Sequence, residues 1–117
     1  MTELIVIHDA PYGNEKAYNA LRHAMTVQAE HKDVKIVVFL MADAVGCAVK
    51  NQKTPQGYYN IERMIQSIIR NGGEVKMCGT CMDARGINEG TSVEGAARSK
   101  MSEFTDLTLA SDKVISF

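Results

Sequence analysis

This chain is short of several things, and each shortage excludes something. Thirteen basic against 14 acidic residues leave a formal net charge of −1. There is no basic excess to track a phosphate backbone, so nucleic acid is not an expected partner. Three cysteines are an odd number and too few to staple a secreted scaffold. Cysteine usage instead points to a reducing compartment, where thiols stay free for chemistry. No stretch approaches the roughly 18 apolar residues of a membrane helix. Met1-Thr2-Glu3 before Leu4-Ile5-Val6-Ile7 has neither the basic start nor the long apolar core of a secretory signal. The expectation is a cytoplasmic protein with no membrane partner. Neither a G-x-x-x-x-G-K-S/T loop nor a G-x-G-x-x-G loop occurs, so no nucleotide cofactor has a motif behind it.

What is there suits one domain, residues 1–117, 45% hydrophobic and long enough to bury about two-thirds of its unfolded surface. Leu4-Ile5-Val6-Ile7 is a continuous rather than alternating apolar run, which predicts a strand covered on both faces, and Val34 to Leu40 is a second strand. The second is the more apolar and is expected at the centre of the sheet. Between them Asn14 is a candidate N-cap for a helix whose face carries Ala17, Leu21, Ala24, Met25 and Gln28. Met41 to Lys50 is small and mildly helical, with Asp43 a candidate cap, and Asn51 to Gly57 is a polar loop.

Asn60 then caps a strong helix in which Ile61, Met64, Ile65, Ile68 and Ile69 follow the helical pattern without a miss, and Gly72-Gly73 stops it. Glu74 to Met77 is the third strand. Ile87 to Ser99 gives a weak signal and reads as loop with a short strand or turn. Met101, Phe104 and Leu107 predict a modest helix, and Val114 to Phe117 a last strand. Strands alternating with helices, with no hairpin signature, predict a three-layer α/β/α sandwich around a mostly parallel sheet.

The informative stretch is Cys78-Gly79-Thr80-Cys81-Met82-Asp83-Ala84-Arg85-Gly86. It follows the third strand and leads into a segment able to start a helix. Chemistry in open α/β sheets gathers at the carboxyl ends of strands. A thiol there, under helix N–H groups and near an arginine, is set up to ionise near neutral pH. The candidate catalytic residues are therefore Cys78, Cys81 and Arg85, the last sharing a helical face with Cys81. The plainer reading of Cys78 is a small apolar residue ending a buried strand.

The Cys-x-x-Cys spacing allows three active readings. Structural zinc needs four ligands, and the remaining Cys47, His8, His23 and His31 show no paired spacing, so no metal is expected. A thioredoxin-like dithiol normally faces a cis-proline from a later strand, but Pro11 and Pro55 both precede the motif. The third reading is a sulfur carrier, in which one thiolate takes sulfane sulfur by attack on a sulfur–sulfur bond and the second releases it by closing a disulfide. Cys47, after the second strand, is a candidate third thiol, or simply a packed small residue. Tyr12 and Asn14 leave another strand end and are candidates to line the pocket with Asp43; the plainer reading is a turn shaped by Pro11 and Gly13.

The chain also resembles a known family. Cys78, six residues, then Arg85-Gly86-Ile87 is similar to the Cys-x6-Arg-Gly stretch of the DsrE/DsrF/TusD-like sulfur-transfer proteins. Phe39-Leu40-Met41-Ala42-Asp43-Ala44-Val45 is similar to their apolar strand and turn. Pro11 to Glu15, Gly57 to Ile61, Cys78 to Ile87 and Ala110 to Val114 resemble the small YchN-like branch, and the likeness runs nearly end to end except from Asn88 to Lys100. It implies a five-stranded, mostly parallel sheet of the DsrEFH type, a persulfide on Cys78, and a homo-oligomer, either trimer or hexamer. It also implies protein donors and acceptors of sulfur. Cys81 departs from the single-cysteine relay members but agrees with that branch. Simple sulfur carriage, dithiol redox chemistry and a non-catalytic oligomeric scaffold all stay open on the residues.

Overall fold

The computed structural model describes residues 1–117. Five strands, β1 (Thr2–Ile7), β2 (Lys35–Leu40), β3 (Glu74–Cys78), β4 (Ala96–Ser99) and β5 (Lys113–Ser116), form one sheet in the order β4-β3-β2-β1-β5. Every pairing is parallel, with Ile7 opposite Leu40, Leu40 opposite Met77 and Cys78 opposite Ser99. As its uninterrupted apolar run requires, β1 is buried along almost its whole length, and β2 is too. The most apolar strand, β2, does occupy the centre.

From β1 to β4 the chain steps in one direction across the sheet, then returns over its full width to β5. Right-handed crossovers therefore put α1 (Lys16–Glu30) and α2 (Ile61–Arg70) on one face and α4 (Met101–Ala110) on the other. The contacts agree. Gln28 Nε2 on α1 donates to the Ile68 carbonyl on α2 at 2.9 Å. On the other face the Phe104 ring of α4 meets the Phe39 ring of β2 with centroids 4.9 Å apart.

The first layer is packed tightly. Ala17, Ala20, Leu21 and Ala24 of α1 and Ile61, Ile65 and Ile68 of α2 are wholly buried. Each large side chain there contributes about 1.5–3 kcal/mol by leaving water. Asn60 caps α2, its side chain accepting the Arg63 N–H at 3.1 Å. Gly72 ends it at φ +89°, a backbone angle that suits glycine.

Two helix caps, expected at Asn14 and Asp43, differ from the sequence-based expectation. The α1 cap position is Glu15 rather than Asn14, although the Asn14 side-chain Oδ1 still accepts the Lys16 N–H at 2.9 Å. The Met41 to Lys50 segment is a 3₁₀ helix over Ala42–Ala48, and no side chain caps it. The weak Ile87 to Ser99 stretch agrees with its reading as loop with a short strand or turn: it contains a second 3₁₀ turn, Glu89–Thr91, and then β4, the edge strand beside β3. No helix is long and apolar enough to cross a membrane.

Candidate functional site

Strand β3 ends at Cys78, and the same residue is the N-cap of α3 (Gly79–Ala84), a helix that follows without a loop. The chain turns at the thiol, so the sulfur meets the first free N–H groups of α3. Cys78 Sγ accepts the Cys81 N–H at 3.4 Å and lies 3.5 Å from Thr80 Oγ1. Burial works to raise this thiol. The hydrogen bonds from Cys81 and Thr80, through side chain and backbone, outweigh burial and hold it below the ordinary thiol range.

Cys78 retains 8% exposure, and it opens onto a cavity of about 580 Å³ on the α4 side of the sheet. Phe39, Met41, Met101 and Phe104 give that cavity apolar walls, while Glu89, Arg98, Lys100 and Glu103 bring charge to it. All three cysteines are free thiols. The other two sit elsewhere. Cys81 Sγ turns toward the Ala42–Ala48 turn and accepts the Ala42 N–H at 3.3 Å. Ala42 holds φ +49°, unusual for a residue with a side chain, so strained backbone delivers that donor. Burial, followed by the neighbouring Cys78, raises the Cys81 thiol against the lowering pull of Ala42 and Arg85. Two thiols three residues apart are thus driven in opposite directions.

Arg85 lies on the Cys81 side. Its Nε donates to Asp43 Oδ1 at 2.8 Å and its Nη1 to the Cys81 carbonyl at 3.0 Å. The pair ties the end of α3 to the 3₁₀ turn. Cys47 is wholly buried, its Sγ 3.9 Å from the Asp9 carbonyl, and burial pushes its thiol up to about 12. Tyr12 donates its hydroxyl to Gln52 Oε1 at 2.6 Å and accepts the Ile61 N–H at 3.1 Å, so it braces the start of α2. Tyr12, Asn14, Asp43 and Cys47 do not line the Cys78 cavity. No group of three His, Cys, Asp or Glu side chains converges as a metal site.

Arg98 is the residue that sequence reasoning passed over. Its guanidinium is held by Asp83 through two hydrogen bonds, 2.7 and 2.9 Å, and lies directly over Gly79. A Cβ at Gly79 would fall 2.8 Å from Arg98 Cζ, so glycine beside the thiol leaves the space the guanidinium fills. The Cys78 sulfur contributes electrostatically to the raised Arg98 pKa, behind the dominant Asp83 hydrogen bond and charge. The only sequence signal was a lone arginine in an Ala- and Gly-rich stretch.

Comparison with known proteins matches this architecture. The model of the DsrE/DsrF-like family matches residues 1–117. The chain is 36% identical over 114 residues to Protein YchN of Escherichia coli strain K12, covering 97% of each. It is 41% identical over 113 residues to the uncharacterized protein MK0008 of Methanopyrus kandleri, covering 97% of this chain and 91% of that one. The crystal structure of the E. coli ychN protein superposes with a TM-score of 0.92 at 34% identity, covering 100% of both chains. A Methanobacterium thermoautotrophicum protein of unknown function, MTH1491, shares the fold with a TM-score of 0.79 at 12% identity, covering 99% of this chain and 97% of that one.

Proposed function

The chain belongs to the DsrE/DsrF-like family, and from that premise we propose that it is an intracellular sulfur carrier that forms a persulfide on Cys78. The observation that carries this reading is the contrast among the three thiols: one is lowered and opens on a cavity, one is raised, and one is sealed. The thiolate is the nucleophile in sulfur exchange. Cys78 Sγ attacks the sulfane sulfur of a donor R–S–SH, the donor S–S bond breaks, and R–S⁻ leaves. An acceptor thiolate then takes the sulfur in the same way.

Cys81 gives the site a second exit. Its thiol attacks Cys78 Sγ of the persulfide, a Cys78–Cys81 disulfide closes, and hydrosulfide leaves; two thiols are oxidised as the sulfane sulfur is reduced. Arg85 and Asp43 hold the backbone that carries Cys81. The short link between the two cysteines, in which the Cys81 N–H donates to Cys78 Sγ at 3.4 Å, also supports a second reading, a dithiol redox protein working through the same disulfide. Exposed Met101, Leu109, Val114 and Ile115 on α4 and β5 support assembly into a homo-oligomer, trimer or hexamer.

The test is intact mass after exposure to a persulfide donor. Wild type and Cys81→Ser gain about 32 daltons, one sulfur atom, and Cys78→Ser does not. A wild type without the adduct, or an equal adduct on Cys78→Ser, rejects the carrier. Disulfide formation with no sulfur adduct at any time favours the dithiol reading.

A further inference from the structure

The cavity before Cys78 has room for far more than one sulfur atom. Its volume, about 580 Å³, falls within the roughly 300–1,000 Å³ of small-molecule sites. A carrier that met only protein thiols would need access to the sulfur, not a chamber. The chamber is built from both layers: Phe39 and Met41 come from β2 and its end, Met101 and Phe104 from α4. These walls suit an apolar body.

The charges around it are almost all engaged. Arg98 is bound by Asp83. Glu103 takes the Ser99 hydroxyl and pairs with Lys76 at 3.4 Å. Glu89 accepts the Arg98 backbone N–H at 3.4 Å. Lys100 lines the same cavity, and its ammonium makes neither a salt bridge nor a hydrogen bond. Behind the Ser99 hydrogen bond and Lys76, its charge helps to lower the Glu103 carboxyl, but with no direct partner it is the cation of the rim left open to an anion that a ligand would bring.

We infer that this cavity admits a low-molecular-weight persulfide with an apolar body and a carboxylate. The body lies against Phe39, Met41, Met101 and Phe104, the carboxylate meets Lys100, and the terminal sulfur reaches Cys78. The inference rests on the carrier reading and names its donor. Cys78–S⁻ bonds to the terminal sulfur of R–S–SH, the donor S–S bond breaks, R–S⁻ departs with the electron pair, and the proton stays on the transferred sulfur.

The test compares persulfides of N-acetylcysteine, its neutral amide and N-benzoylcysteine as donors. Alkylation of Cys78 by iodoacetate and iodoacetamide runs in parallel, and each rate is normalised to that of a simple free thiol. An exposed lysine gives the acid an advantage of about three- to fivefold over the amide at low salt, shrinking as salt rises. The benzoyl donor outpaces the acetyl one. Lys100→Gln, a surface change, brings the acid-to-amide ratio to about one while Cys78 stays reactive. A wild-type ratio of one in both assays, or a ratio unchanged in Lys100→Gln, overturns the inference. If no donor leaves a sulfur adduct but iodoacetate keeps its Lys100-dependent advantage, the carrier reading fails and the anion-selecting cavity stands.

Discussion

On the α1 and α2 face of the sheet, Leu21, Ile65 and Ile68 are wholly buried; on the α4 face no residue of the helix is buried, and Leu109 is 82% exposed. The same sheet is sealed on one side and loosely roofed on the other. The sealed side holds the strands in register and fixes where β3 ends. The open side leaves a space in front of the residue at that end. A reactive sulfur needs both: a rigid mount, and a direction from which a partner can arrive. Cys78 and Cys81 divide along the same line, since one sulfur opens on the cavity and the other is bound into the 3₁₀ turn.

Substitutions can break this contrast. Ile65→Ala removes a wholly buried side chain from the sealed face and is expected to cost about 2–5 kcal/mol in denaturant unfolding. A loss under about 1 kcal/mol would mean the layer is softer than its burial indicates.

Two glycines give a sharper comparison. A Cβ at Gly73 meets Ile68 Cγ2 at 2.6 Å and the Ile68 carbonyl oxygen at 2.9 Å, a fixed backbone atom. The three atoms nearest a Cβ at Gly79 all belong to the movable end of Arg98. Gly73→Ala is expected to destabilise by about 1–3 kcal/mol. Gly79→Ala should leave stability nearly intact, displace the guanidinium, and change the rate at which Cys78 reacts. Equal losses of stability would show that Arg98 is as fixed as the backbone. The smallest effect belongs to Leu109→Ala, within about 0.5 kcal/mol at dilution. A cost that grows with protein concentration would place α4 in a subunit interface.

Much of the sealed side was legible in the sequence. The β1 and β2 runs are buried on both faces, so they read as uninterrupted apolar strings, and the α2 isoleucines mark a helix against a sheet. The strand end at Cys78 follows from Gly72-Gly73, which stops α2 and starts β3. The open side was legible only in part: Met101, Phe104 and Leu107 marked α4 and Val114 to Phe117 the last strand, but the pieces that complete the site were not marked. Strand β4 is four residues long, with Ala97 and Arg98 exposed, and it is a strand only because β3 lies beside it. The 3₁₀ turn depends on the positive φ of Ala42, which no glycine announced. Arg98 reaches the site across a strand pairing, 20 residues from Cys78 in sequence. Local pattern cannot report such a contact, because nothing between the two residues carries its period.

The most direct measurement is site-resolved alkylation of the native protein across pH. A thiol held below the ordinary range is already thiolate at pH values where a free cysteine is still protonated, so its rate reaches a plateau earlier as pH rises. The account predicts that Cys78 labels first, with a midpoint below that of a free thiol. Cys81 follows with a midpoint above it, and Cys47 stays unlabelled while the fold is intact. A Cys78 that labels no faster than Cys47, or only above the free-thiol midpoint, would contradict it.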